Sequence, residues 1–195
     1  MTIQREIDSQ YRDPLDLVWM ETAGSLGMEV ERSAAVYAAW DGRGVLHIAD
    51  PESMDPDDCL AQMVFHEICH ALVEGPEAWG ASDWGLVNRD DRHLVREHAC
   101  HRLQAALADR YGLRRLLAVT TDHRSYYDAL PPDPLVGDDP AVALACRGWE
   151  RATTGDWAPA LDHALRATAQ MGQILKGFAT SDSLWSRVGE TRHDI

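Results

Sequence analysis

The sequence predicts an α+β protein in which a small antiparallel sheet packs on a helical core. Helix signals occur on both sides of residues 28–49: apolar residues three or four positions apart, with Pro near the start and Gly at the end. Within 28–49 the spacing changes and strand-forming residues prevail. The 195 residues are 45% apolar and 26% charged, which favours one ordered domain over residues 1–195 and excludes disordered and collagen-like chains.

The N-terminal part of the chain predicts one helix followed by the sheet. Residues 14–27 begin with Pro14, carry apolar residues at helical spacing and end with Gly27. Residues 28–49 predict two or three antiparallel strands, because runs of strand formers flank the turn signal Asp41-Gly42-Arg43-Gly44.

The middle of the chain predicts two helices joined by an irregular loop. The first helix is expected to be capped by Ser53 or Asp55, to carry a proline in its first turn and to stop at Gly75. Residues 77–92 form the loop, and the second helix spans about 92–111.

The last third of the chain predicts a loop and then two helices. Residues 117–140 are predicted to be loop because they contain Pro131-Pro132-Asp133-Pro134, and residues 142–152 are predicted to be helical. A final helix is capped by Asp156, and its packed face is expected to hold Trp157, Leu161, Leu165, Ile174 and Phe178.

Charge limits the partners that the protein can have. The net charge of −14, from 18 basic and 32 acidic residues, argues against nucleic acid and against anionic membranes, and it favours a cationic partner. The first eight residues are mostly polar or charged and contain no apolar core of signal-peptide length, and no run approaches the roughly 18 apolar residues of a membrane span. We therefore expect a soluble cytoplasmic protein without a signal peptide.

The four cysteines show no CxxC spacing, which argues against a zinc ribbon or a thioredoxin-like motif. In a reducing compartment we expect Cys59, Cys69, Cys100 and Cys146 to be thiols that pack as small apolar residues. Cys69 and Cys100 flank the candidate site described next. Three roles are open to them there: lining the site, pairing as a redox disulfide, or packing between the two helices. We favour packing.

One motif carries the functional signal. His66-Glu67-Ile68-Cys69-His70 lies in the first of the two central helices. Residues four apart share one helix face, so His66 and His70 can reach the same ion. Glu67 can then contact a water or substrate bound to that ion. The motif predicts a metal site with Glu67 as a catalytic residue.

The second central helix offers a third ligand. We predict Glu97, with His98 and His101 as alternatives, because 26 residues separate His70 from Glu97 and leave room for two antiparallel helices. Two imidazoles and one carboxylate leave coordination positions open, as a catalytic ion requires. The same ligand set suits zinc and oxygen-activating iron(II), so one divalent ion of either kind is expected. His123 and Tyr126, in a polar aromatic segment, are candidates for a further catalytic donor.

The pattern of HExxH followed by a helical Glu resembles compact gluzincin metallopeptidases. This resemblance implies a zincin-like fold and zinc held by His66, His70 and Glu97, with Glu67 as the general base.

A second resemblance covers more of the chain. The HExxH motif, then Gly75, Asp83-Trp84-Gly85, Glu97 and Gln104-Ala105, is similar to the elongation factor P hydroxylase family. That family implies a peptidase-like metal site that hydroxylates a modified lysine on a translation factor. We therefore expect a metalloenzyme acting on a protein or peptide, with an iron-dependent hydroxylase ahead of a zinc metallopeptidase. A non-catalytic metal-binding module is the third possibility.

Overall fold

A computed structural model describes residues 8–87 and 93–190 and confirms the α+β class. Residues 88–92 of the predicted loop, and both ends of the predicted domain, lie outside the described residues. The elements follow in chain order as α1 Pro14–Ser25, β1 Glu29–Ser33, β2 Ala38–Trp40, β3 Val45–Ala49, α2 Leu60–Glu74, α3 Leu94–Asp109, α4 Arg124–Ala129, α5 Ala141–Thr154 and α6 Ala158–Leu175.

The sheet is mixed, which corrects the antiparallel prediction. Its strand order is β1-β3-β2, with β1 parallel and β2 antiparallel to β3. The predicted turn does join β2 to β3, and the Asp41 carboxylate accepts hydrogen bonds from the N–H groups of Arg43 and Val45. Strand patterns mark which residues can pair, but they do not specify which neighbour a strand takes. Here β1 pairs with the side of β3 that faces away from β2, although β2 lies between them in the sequence.

Helix α2 begins later than predicted. Cys59 is its N-cap, whereas Ser53 ends a 3-10 turn and Asp55 precedes a proline. After Asp55 the chain makes a turn closed by the Asp58 N–H on the Asp55 carbonyl, and Cys59 is extended with φ −145° and ψ 160°, so the helix begins only after Cys59. The predicted end is confirmed, because Gly75 adopts a φ of 84° and its N–H bonds the carbonyl of Ala71.

The C-terminal region contains three further corrections. The predicted loop 117–140 contains helix α4. Helix α6 has Trp157 rather than Asp156 at its N-cap. Leu161 and Leu165 are buried as expected, but Ile174 is 66% exposed and Phe178 is 84% exposed, so neither belongs to the packed face.

Helix α2 is the centre of the molecule. Thirteen of its 15 residues are buried, and α1, α3 and α5 all pack against it. A helix that is buried all round can present polar side chains only to other protein groups or to a bound ligand. Among the described helices, none combines the length and apolar character needed to cross a membrane.

Candidate metal centre

Four side chains from two adjacent helices meet in the interior. His66 and His70 come from α2, and Glu97 and His101 come from α3. The Nε2 atoms of His66 and His70 are 3.0 Å apart. His66 Nε2 lies 3.4 Å from Glu97 Oε1, and His70 Nε2 lies 3.4 Å from the other oxygen, Oε2. The structure thus brings together the three predicted ligands, and it adds His101, whose Nε2 lies 3.0 Å from Glu97 Oε1.

These separations fit donor atoms around one ion. Two ligands bound about 2.0–2.2 Å from an ion lie roughly 2.9–3.5 Å apart at octahedral or tetrahedral angles. Moreover, Glu97 Oε2 and His70 Nδ1 are buried without a hydrogen-bond partner in the part of the chain that is described. A buried carboxylate oxygen among imidazoles, with no hydrogen bond of its own, is costly unless a cation occupies the space between them.

Gln104 determines which nitrogen of His66 faces this centre. Its Nε2 donates to the carbonyl of Leu117 at 2.9 Å, which leaves its Oε1 to accept from His66 Nδ1 at 2.8 Å. The Nε2 lone pair of His66 is therefore directed at the Glu97 side. Gln104 was not among the predicted site residues, although it lies seven residues after Glu97 and so on the same helix face.

Burial and mutual attraction shift the pKa values of the cluster in different directions. Burial raises the pKa of Glu97, but His70 and the other imidazoles outweigh it and hold this pKa far below its usual range. Burial lowers the pKa of His66, but Glu97 outweighs it and raises this pKa to about 9. For His101 burial prevails over the pull of Glu97 and lowers the pKa to about 3. Without an ion, a proton on His66 therefore compensates the Glu97 charge.

Glu67, the predicted catalytic residue, is buried and held in place by Trp84. The indole Nε1 of Trp84 donates to Glu67 Oε2 at 2.8 Å. Trp84 in turn stacks on Trp40 with 4.7 Å between ring centroids and 2° between ring planes. Glu67 therefore has a fixed orientation next to the candidate ligand His66.

The turn that presents Trp84 is strained. Asp83 and Trp84 both have left-handed backbones, with φ of 47° and 56°. Each such residue costs on the order of 1–3 kcal/mol, and strain of this kind persists only where the surroundings enforce it. Here Asp83 Oδ1 accepts from the backbone N–H of Trp40, and the Arg96 guanidinium, paired with Glu74, donates to the carbonyl of Trp84. Sequence reasoning missed Glu74 and Arg96, and no spacing marks them.

His123 and Tyr126, the other predicted catalytic residues, lie on the His101 side of the cluster. The His123 ring is 4.9 Å from that of His101. The Tyr126 hydroxyl accepts from Arg102 Nε at 2.8 Å and donates to Asp139 at 2.9 Å. Burial and Asp139 raise the pKa of Tyr126 to about 12, so its hydroxyl keeps its proton.

Two other donors flank the centre without joining it. His98, one of the alternative third ligands, stacks on Tyr126. Two sets of donor atoms lie close together in the described residues, and neither includes His98: one is His66, His70 and Cys100, and the other is His66, Glu97 and His101. Cys100 lies near His66 and His70, but its Sγ is on the Nδ1 side of His66, at 3.6 Å. Burial and the neighbouring Cys69 raise the pKa of the Cys100 thiol, so this thiol keeps its proton when no metal is bound. All four cysteines are free thiols.

Comparison of the chain with protein-family models, with curated proteins and with solved structures finds no match in any of the three.

Proposed function

We propose that this protein is a mononuclear metalloenzyme that modifies a protein or peptide, and that it is an iron-dependent hydroxylase. One observation carries the proposal: the ligand atoms of His66, His70 and Glu97 converge at 3.0–3.4 Å beside the anchored carboxylate of Glu67. Two imidazoles and one carboxylate that leave coordination positions open are typical of oxygen-activating iron(II).

Each residue of the centre has a distinct role in this proposal. His66, His70 and Glu97 would hold the ion, and iron(II) bound there would supply the activation of dioxygen. Gln104 orients His66. Glu67, fixed by Trp84, would hold or deliver a proton beside the substrate. Hydroxylation places one oxygen atom in a C–H bond and releases the other as water, so a two-electron reductant must accompany the substrate.

The net charge supports a cationic segment of a protein as the substrate, such as a loop that bears lysine. The similarity to the elongation factor P hydroxylase family points the same way. We place the reaction in the cytoplasm, where free thiols stay reduced.

A zinc metallopeptidase is the second candidate, and the position of Glu67 directly after His66 favours it. In such an enzyme zinc lowers the pKa of its bound water to about 7, and Glu67 accepts the proton. Extended peptides, however, are commonly bound by addition to a free sheet edge. At the edge strand β2 the N–H of Trp40 already donates to Asp83, and its carbonyl accepts from Ser82 Oγ. These bonds occupy Trp40 on one of the two edge strands, and on that ground we rank the peptidase second.

Metal content tests both candidates. Protein purified without oxygen should contain nearly one iron per chain by plasma mass spectrometry, and it should consume oxygen when reductant and substrate peptide are added. Zinc at that stoichiometry, with peptide cleavage, would favour the peptidase instead. A wild-type chain that neither contains nor takes up either metal would exclude both enzymes.

The ligand assignment is tested separately by His66→Ala and Glu97→Ala. Each variant should lose stoichiometric metal, because removing one of three ligands opens the centre to water. His98→Ala is the control, since His98 lies on the same helix as Glu97 but stacks on Tyr126. Native metal content in both variants would exclude His66 and Glu97 as ligands.

A further inference from the structure

We propose that His101 is a fourth ligand of the same ion, so that three imidazoles and one carboxylate hold it. The inference rests on the proposed metal centre and concerns its coordination, which decides the chemistry that each metal can perform there.

The burial of His101 supports its role as a ligand. The His101 side chain is fully buried, and neither Nδ1 nor Nε2 has a hydrogen-bond partner within residues 8–87 and 93–190. Each unsatisfied buried polar atom costs about 1–3 kcal/mol. A histidine that serves only to fill the core would be expected to bond at least one nitrogen. Coordination of an ion removes the cost at the ligating nitrogen.

The position of His101 relative to Glu97 also supports coordination. His101 Nε2 is 3.0 Å from Glu97 Oε1, which is a hydrogen-bond distance, but the contact lacks the angle of a hydrogen bond. Two donor atoms that lie this close without forming a hydrogen bond are placed like two ligands of one ion.

Helices α2 and α3 present their donor residues in the same way. The donor atoms of His66, Glu97 and His101 all lie within 4.8 Å of one another. Helix α2 presents its pair of donors four residues apart, at His66 and His70, and α3 presents Glu97 and His101 at the same spacing. Each helix thus contributes one face with two donors.

Among residues 8–87 and 93–190, the other aromatic neighbours of His101 supply no hydrogen bond to its ring nitrogens. The rings of His123, Tyr126 and His98 lie 4.9, 5.9 and 6.2 Å from its ring, centroid to centroid. The Tyr126 hydroxyl is already engaged with Arg102 and Asp139.

A fourth protein ligand has different consequences for the two metals. Zinc is almost always four-coordinate, and a site with four protein ligands is closed to water and substrate. A six-coordinate iron would keep two open positions beside the same four ligands. With His101 bound, the centre therefore suits iron chemistry and would hold zinc in an inactive state.

X-ray absorption of the zinc-loaded protein tests the proposal, because imidazole ligands can be counted from their scattering. We expect three imidazoles in the wild type and two in His101→Gln, which removes the imidazole but keeps a polar side chain of similar length. His98→Gln is the matched control on α3 and should retain three. Two imidazoles in the wild type, the control and His101→Gln alike would overturn the proposal and leave His101 as a neighbour that positions Glu97.

A second measurement needs no variant. Wild-type protein with ¹⁵N-labelled histidine and bound cadmium should show metal–nitrogen coupling to three imidazoles, whereas coupling to two would contradict the proposal. These outcomes are separate from failure of the proposed function, in which the wild type would bind no stoichiometric metal at all.

Discussion

At the scale of single residues, the centre depends on two side chains that hold the functional groups in place. Gln104 holds His66 through Nδ1, and Trp84 holds Glu67 through an indole N–H. Neither side chain is a predicted ligand or a proton-transfer group. The role of Gln104 can be tested by metal affinity alone, whereas that of Glu67 requires a turnover assay.

Replacing Gln104 by Ala should weaken metal binding. Without its amide oxygen, His66 loses the hydrogen bond that fixes its tautomer and ring orientation, and changes of this kind lower metal affinity about 10–100-fold. Competition with a chelator of known affinity measures the loss. Gln62→Ala is a suitable control, because Gln62 is also buried but bonds Asp58. Equal affinity in the wild type and both variants would contradict the role of Gln104.

Replacing Glu67 by Gln should separate metal binding from turnover. The substitution keeps the shape of the side chain and an acceptor for Trp84, but it removes the negative charge that can accept a proton. We expect native metal content by mass spectrometry and at least about a 100-fold loss of turnover, which is the usual contribution of a positioned acid or base. A variant that turns over at the wild-type rate would remove Glu67 from the mechanism.

At the scale of elements, the geometry of the centre depends on how closely α5 packs on α2 and α3. Gly148 in α5 allows this approach. A Cβ at that position would lie 2.7 Å from Leu103 Cδ2 on α3 and 3.2 Å from Val73 Cγ2 on α2. A larger residue requires the Leu103 side chain to move, and Val73 on α2 or α5 itself must give way by a few tenths of an ångström.

Gly148→Ala should therefore destabilise the protein relative to a matched substitution in an open helix position. Gly24→Ala in α1 is the control, because a Cβ there has no atom within 4 Å. Both changes gain about 1 kcal/mol of helix propensity, but overpacking costs Gly148→Ala about 1–3 kcal/mol. Urea unfolding should show that difference between the two variants. Equal stabilities would mean that α5 does not constrain α2 and α3.

At the scale of the whole molecule, the stability of the protein should depend on the ion. The centre joins α2 to α3 in the middle of the fold, and without a cation its charge is balanced by the proton on His66. Because the pKa of His66 is raised to about 9 from an ordinary 6.5, this proton stabilises the folded state below pH 6.5. The stabilisation is lost as the pH rises through 9.

Metal-free protein should therefore lose thermal stability between pH 6.5 and 9, whereas metal-loaded protein should not, because the ion takes the place of the proton. At neutral pH, metal at 100 times its dissociation constant should add about 2.7 kcal/mol to the free energy of unfolding. Calorimetry with and without chelator measures both effects. Identical pH profiles for the two forms would show that no ion replaces the proton.

The local features of this protein could be predicted from its sequence alone. The His66 and His70 spacing, the end of α2 at Gly75 and the turn that begins at Asp41 all follow from helix periodicity or from turn chemistry within a few residues. Glu97 could also be predicted, because it lies on the next helix with room for the chain to return. Local rules suffice for these features since each depends only on neighbours in the chain.

Contacts between distant parts of the chain could be seen only in the tertiary structure. The parallel pairing of β1 with β3, the exposure of Phe178, the strained turn at Trp84 and the burial of His101 depend on residues far apart in the chain. A strand pattern is satisfied by either neighbour, and a helical histidine has the same spacing whether it is solvated or enclosed. Packing removes that ambiguity, because the core accepts one arrangement in which its polar groups find partners, and at His101 the remaining partner is the proposed ion.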